Sequence, residues 1–90
     1  MNKVNISEKL NKINDYWNPR IAGELNGQQI RLVKIKGEFQ YHKHDNEDEM
    51  FLVIKGSLKL DFKDKVVDVF EGEFIIVPKG VLHRPIADQE

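Results

Sequence analysis

Apolar and polar residues along this chain change rhythm near residue 20. Ile6, Leu10, Ile13 and Trp17 recur at helical spacing. Ser7 is read as the N-cap with Glu8 in the first turn, and Asn14-Asp15 and Asn18-Pro19 end the helix near Asp15 or Tyr16. Trp17 continues the apolar face and is read as a packing anchor. From Arg20 the pattern is strand and turn. Asn26-Gly27, set between Ile21-Ala22 and Ile30 to Ile35, predicts a hairpin, because both central residues tolerate positive φ. Phe39 to His44 is read as extended. Met50 to Ile54 is apolar on both faces, a buried strand. Leu58, Leu60 and Phe62 alternate with Lys59 and Asp61, a half-buried strand. Val66 to Phe70 and Phe74 to Val77 follow, separated by glycine turns at Gly56, Gly72 and Gly80. Short strands punctuated this often predict an all-β sandwich or barrel with a short helical or irregular N-terminal segment.

Composition narrows the function classes. Fourteen Lys plus Arg balance fifteen Asp plus Glu, for a net charge of -1, which lacks the basic footprint of a nucleic-acid binder. The chain has no cysteine, so a disulfide framework and a thiolate metal site are both excluded. The longest apolar run, Met50 to Ile54, is too short to cross a membrane as a helix. Met1 to Asn5 has no apolar export core, and a cytoplasmic location is the expectation. Ninety residues make one domain, with residues 1–19 read as a segment packing on it or on a partner and residues 20–90 as the domain itself. A chain this short buries only about 60–65% of its unfolded surface, so a metal or partner subunit would add materially to its stability.

The three histidines carry the chemistry. His42 and His44 are two apart, so on a strand both imidazoles face the same way. Glu49 follows an acidic loop, Asp45 to Asp48, and its carboxylate can return to that side. His83 lies just past the Pro78-Lys79-Gly80 turn. Three neutral imidazoles and one carboxylate suit Fe(II), Mn(II), Ni(II), Cu(II) or Zn(II) better than Ca(II) or Mg(II). Four protein ligands on a metal that prefers six leave room for water or substrate.

These residues sit in a wider pattern that resembles the cupin family. Its first motif runs here from Gly37 through His42, His44 and Glu49 to Gly56; four residues separate His44 from Glu49 and six separate Glu49 from Gly56. Four residues lie between Gly37 and His42, where the family has five. The second motif is Gly72, five residues, Pro78-Lys79-Gly80, two residues and His83. Ala87 stands where the family often has asparagine. The resemblance implies a small jelly-roll β-barrel with one divalent metal (Zn, Mn, Fe or Ni) held by His42, His44, Glu49 and His83.

The resemblance does not select a reaction, since cupins include isomerases, dioxygenases, decarboxylases, effector domains and storage proteins. By alternation, Gln40, Phe51, Val53, Leu58, Leu60, Phe62, Phe74 and Ile76 are candidates to line or underlie the pocket, with Gln40, Phe51, Leu60, Phe62 and Phe74 as substrate-pocket candidates. Most are apolar, which favours a small neutral carbonyl or sugar-like ligand. Arg31, Lys34 and Arg84 are read as surface charges, and Tyr41 as a further hydrogen-bonder. Two functions are carried: a metal-dependent isomerase or oxygenase, and a non-catalytic binding or structural module. The outer face of Met50 to Ile54, with Tyr41 and Ile75, is expected to need a cover, from the N-terminal segment or in a homodimer. Arg84 to Ala87 is read as too short for a strand, with Pro85 lacking a donor. The chain is therefore expected to be truncated or to leave an open sheet edge.

Overall fold

The computed structural model describes residues 1–87 and divides into two compact units, Met1–Ile35 and the chain from Lys36 onward. In the first unit, helix α1 spans Ile6–Leu10. Its N-cap is Asn5, not Ser7: the Asn5 side chain accepts the Glu8 backbone N–H at 3.0 Å. Asparagine caps as well as serine does, and here it stands two residues earlier. The helix also stops sooner than expected. Lys12 N–H to Lys9 O and Ile13 N–H to Leu10 O are three-residue bonds, which tighten the last turn and end it. Ile13 is buried, and Trp17 takes a left-handed φ of 59° with its N–H bonded to Lys34 O at 2.9 Å. Strands β1 (Arg20–Leu25) and β2 (Gln28–Leu32) form the expected antiparallel hairpin. Asn26 and Gly27 both have positive φ, 53° and 79°, which lets a two-residue turn follow the strand twist.

Among the described residues, the second unit has six strands. They are β3 (Gly37–Glu38), β4 (Glu49–Leu52), β5 (Ser57–Asp61), β6 (Val66–Phe70), β7 (Phe74–Val77) and β8 (Arg84–Ala87). A four-stranded sheet runs β3-β8-β5-β6, and β4 pairs with β7 in a separate two-stranded sheet. The strands are those of a jelly roll, but among the described residues hydrogen bonding does not close them into a continuous barrel. Leu58 opposite Val69 and Leu60 opposite Val67 put the inward residues of β5 and β6 side by side. Leu58, Leu60, Val69, Val53, Val77 and Ala87 are buried and form the core.

Three expectations change here. Arg84–Ala87 is a strand after all, flanked by β3 and β5. Pro85 fits because its carbonyl turns toward β3 and accepts the Phe39 N–H at 3.0 Å. In an antiparallel strand the N–H of a residue points the same way as its C=O, so the missing donor costs nothing in the β5 ladder. Met50–Ile54 is not buried on both faces: Glu49, Phe51 and Val53 turn inward, while Met50, Leu52 and Ile54 are exposed. The phase of β7 is the reverse of the one expected. Ile75 and Val77 face inward, and Phe74 and Ile76 are 61% and 54% exposed. An unbroken apolar run has no alternation of its own, so pairing with β4 decides its phase, with Phe51 opposite Ile75 and Leu52 opposite Phe74. Among the described residues, no helix is long and apolar enough to cross a membrane.

On the outer face of the larger sheet, Asp61 takes three donors. The Tyr41 hydroxyl donates to Oδ2 at 2.6 Å, Arg84 donates to the same oxygen at 3.0 Å, and the Lys63 N–H reaches Oδ1 at 2.8 Å. The Tyr41 hydrogen bond foremost, with the Lys63 amide and Arg84, holds the Asp61 carboxyl below the usual carboxylate range. The same bond to Asp61 holds the Tyr41 hydroxyl above its ordinary value.

Two outcomes are expected. Leu60 has no exposed surface, so Leu60→Ala costs about 2–5 kcal/mol. Thermal unfolding followed by circular dichroism then shows a midpoint lower by roughly 10 °C or more. Asp61 ionises at lower pH when folded than the value of about 3.9 for the unfolded chain. Its contribution is thus present above that value and is lost as pH falls through the lower folded one. Urea midpoints of Asp61→Asn therefore fall less between pH 5 and pH 2.5 than those of the parent chain.

Candidate metal centre

The two histidine segments meet through their backbones. His42 and His83 form an isolated antiparallel bridge, each donating its N–H to the other's carbonyl at 2.9 Å. Residues 39–44 are thus not the regular strand expected, since β3 ends at Glu38. The bridge sets the face of the chain from which the His42 side chain leaves. The turn before His83 is built on Pro78, whose carbonyl accepts the Val81 N–H, with Gly80 at φ 81°. That conformation is one glycine adopts without strain. Two further bonds tie this turn to the first histidine segment: Gly80 N–H to His44 O at 2.7 Å, and Lys79 N–H to Asp48 Oδ1 at 2.9 Å. The acidic loop therefore has a structural member in Asp48.

The side chains converge as a result. One ligand atom each of His42, His44 and Glu49 lies within 4.8 Å of the others. Glu49 Oε1 stands 3.3 Å from His44 Nε2 and 3.4 Å from His83 Nε2. The His83 ring centroid is 4.4 Å from that of His42. His83 is 1% exposed, whereas the Glu49 and His44 side chains are 27% and 34% exposed, so the cluster opens on one side.

Two of the imidazoles have fixed tautomers. His42 Nδ1 is 3.0 Å from Gln40 O, and His83 Nδ1 is 2.9 Å from Val81 O. A carbonyl only accepts, so Nδ1 is the donor in both, and in the neutral ring Nε2 is then the atom with the lone pair. Backbone carbonyls commonly orient metal-binding histidines in this way. His44 Nε2, Glu49 Oε1 and His83 Nε2 are buried and lack hydrogen-bond partners. A neutral His83 thus turns a lone pair toward a carboxylate oxygen, which is repulsive until a cation stands among them. The group that meets within 4.8 Å, His42, His44 and Glu49, offers two imidazole nitrogens and a carboxylate, donors of the kind that could hold a divalent transition metal, and His83 adjoins it at Glu49.

The pocket candidates divide. Phe51 and Phe62 stand beside His83, with ring centroids 5.9 and 6.4 Å away. Leu60, Leu58 and Val53 lie in the core beneath. Phe74 and Ile76 point the other way, for the reason of register given above. The Gln40 side chain is exposed, and its contribution is the carbonyl that orients His42. Arg84 is no free surface charge; it is ion-paired to Asp61 and, at 3.3 Å, to Glu38. Phe39, whose ring packs edge-on to His42 at 5.5 Å, escaped the sequence reading, since it lies three positions from His42 and strict alternation would turn it to the other face. A separate cavity of about 200 Å³ in the first unit lies among Lys9, Lys12, Arg20, Ile13, Ile21 and Leu32, and these offer no metal-ligating group.

A small jelly-roll unit that brings histidines and a glutamate from two glycine-bounded motifs together defines a class of domains with a group that could hold a metal. The chain belongs to the cupin family: the family model Cupin_2, a cupin domain, matches residues 30–90. It is 40% identical over 62 residues to the uncharacterized protein YdbB of Bacillus subtilis, covering 68% of this chain and 55% of that protein. It is 28% identical over 64 residues to a mannose-1-phosphate guanylyltransferase of Sinorhizobium fredii, covering 67% of this chain and 12% of that one. The chain thus spans about half of the first of these relatives and a small part of the second. Among solved structures, a cupin-2 domain containing protein from Shewanella frigidimarina matches with a TM-score of 0.94 at 40% identity, over 96% of this chain and 84% of that one. Protein NMB1881 from Neisseria meningitidis matches with a TM-score of 0.89 at 34% identity, over 97% of this chain and 89% of that one.

The tautomers are directly measurable. In metal-free protein above neutral pH, ¹⁵N-correlated imidazole spectra are expected to show His42 and His83 as Nδ1–H forms. Free histidine prefers the other tautomer, so a free-histidine pattern would contradict the carbonyl contacts.

Proposed function

We propose that the chain binds one divalent transition metal through His42, His44, Glu49 and His83 and presents it to a small, neutral molecule entering on the His44–Glu49 side. The observation that carries the reading is the group of three buried, unpartnered atoms, His44 Nε2, Glu49 Oε1 and His83 Nε2, set 3.3 and 3.4 Å apart about one carboxylate oxygen. When bound, such a metal supplies a Lewis acid, and iron adds redox chemistry with oxygen. His83, held by Val81 O and walled by Phe51 and Phe62, is the dry anchor of the set. Glu49 brings the one negative charge, which offsets part of the charge of a divalent cation. His44 and Glu49 line the more open side, where a ligand has access.

Two activities fit this site: isomerase or oxygenase chemistry on a small carbonyl or sugar-like compound, and binding without turnover. One observation favours the second. Tyr41, the sequence's candidate for a further hydrogen-bonding group, has its hydroxyl committed to Asp61, and Gln40 is exposed. The Tyr41 hydroxyl is thus not left to move a proton for a substrate at the ligands, and the Gln40 amide has no titratable proton to transfer.

Elemental analysis of the purified chain is expected to find close to one metal per chain. Loading metal-stripped protein at a hundredfold excess over Kd stabilises it by about 2.7 kcal/mol. His83→Ala removes both effects. A substoichiometric metal content that is the same in His83→Ala would overturn the assignment. With metal bound, turnover of a panel of small carbonyl compounds supports the enzyme; saturable binding with no turnover supports the module.

A further inference from the structure

The segment carrying His42 and His44 lacks a ladder of its own. Between Glu38 and Glu49 its backbone is held by the Phe39–Pro85 bond, the His42–His83 pair and, beyond them, the bond from Gly80 N–H to His44 O. Tyr41 stands between the first two of these, next to His42. Successive residues of extended chain turn to opposite faces, so the Tyr41 side chain leaves on the side opposite the imidazole. There it is gripped. Its hydroxyl donates to Asp61 Oδ2 at 2.6 Å, while Arg84 Cζ lies 4.7 Å and Lys63 Nζ 4.8 Å from its ring centroid. Arg84 also donates to the same Asp61 oxygen at 3.0 Å and to Glu38 at 3.3 Å. Arg84 directly follows His83, as Tyr41 directly precedes His42. The clasp thus joins the immediate neighbours of the two histidines whose backbones pair, and it anchors both to the end of β5.

We propose that Tyr41, through Asp61 and Arg84, is a positioning residue for the metal centre: it fixes the twist of residues 40–42 and so the direction in which His42 and His44 present their nitrogens. The inference rests on the metal reading above and assigns that site an outer support on the far face of the sheet. A residue in extended chain cannot rotate without turning its neighbour, so slack at Tyr41 becomes misdirection at His42. Groups that orient metal ligands from outside typically contribute about 10–100-fold to affinity.

The test uses the metal-stripped full chain titrated with Co(II), read by its visible ligand-field absorption, alongside thermal unfolding of the metal-free protein. Tyr41→Phe keeps the ring over its cations and removes the hydroxyl. Asp61→Asn keeps the shape and removes the charged acceptor, and serves where Tyr41→Phe folds poorly. Val69→Ala, in the core at the other end of β5 and β6, controls for lost stability alone. The expected result is Co(II) affinity about tenfold or more weaker in Tyr41→Phe and Asp61→Asn, with a displaced absorption band. Val69→Ala keeps the parent affinity and spectrum. Unchanged affinity and band in both clasp variants, while the parent binds one Co(II), overturns the positioning role and leaves the metal reading standing. Equal weakening in Val69→Ala also overturns it, since the loss then follows stability. A parent chain that binds no Co(II) overturns the metal reading, and the proposal with it.

Discussion

Two hydrogen bonds of 2.9 Å, exchanged between His42 and His83, join stretches of chain some forty residues apart. Everything chemical in the molecule is arranged around them. Because the bonds are between backbone groups, they position both residues irrespective of what their side chains do. The side chains then leave the bridge on one face, where Glu49 meets them from β4. On the other face, Tyr41 and Arg84 leave from the adjoining residues and meet Asp61. A single short bridge therefore has a reactive side and a structural side, and the two are coupled by the alternation of extended chain.

The core supports this arrangement from one end. Leu58, Leu60, Val67 and Val69 interlock across β5 and β6, and the strand that begins beside His83 pairs with β5 directly. Apolar surface also remains outside. Met50 and Leu52 of β4 and Phe74 and Ile76 of β7 form directly opposed pairs on the exposed face of the small sheet. In a unit this small the two faces of an apolar strand pair cannot both be covered by its own core.

The meeting of His42, His44 and Glu49 in the candidate site was legible in the sequence because it depends on spacing and turn chemistry. Gly80 at φ 81° and the Asn26-Gly27 pair do what those residue types do in tight turns. The alternation of Leu58 and Leu60 with charged neighbours leaves one choice of inward face. Where local signals are silent, tertiary pairing decides. Phe74 to Val77 is apolar at every position, so nothing in the segment says which residues look inward; β4 does. Asn5 and Ser7 are both competent caps, and the helix uses the earlier one. Pro85 reads as a strand breaker until its orientation relative to β3 is known. The clasp on Asp61 joins residues 41, 61 and 84, a closure that no local pattern encodes.

The place of β8 has a kinetic meaning. This strand lies between β3 and β5, and Gly37 pairs with Ala87. The β5–β6 hairpin needs only a short loop and can form early, whereas β3 has no partner until residues 84–87 arrive. Closing so long a loop is entropically costly before any contact rewards it, which places the event late in folding. The His42–His83 bridge belongs to the same late event. The ligands of the candidate centre are thus brought together only when the fold is nearly complete, so a partly folded chain holds all four residues yet lacks the arrangement that would bind an ion.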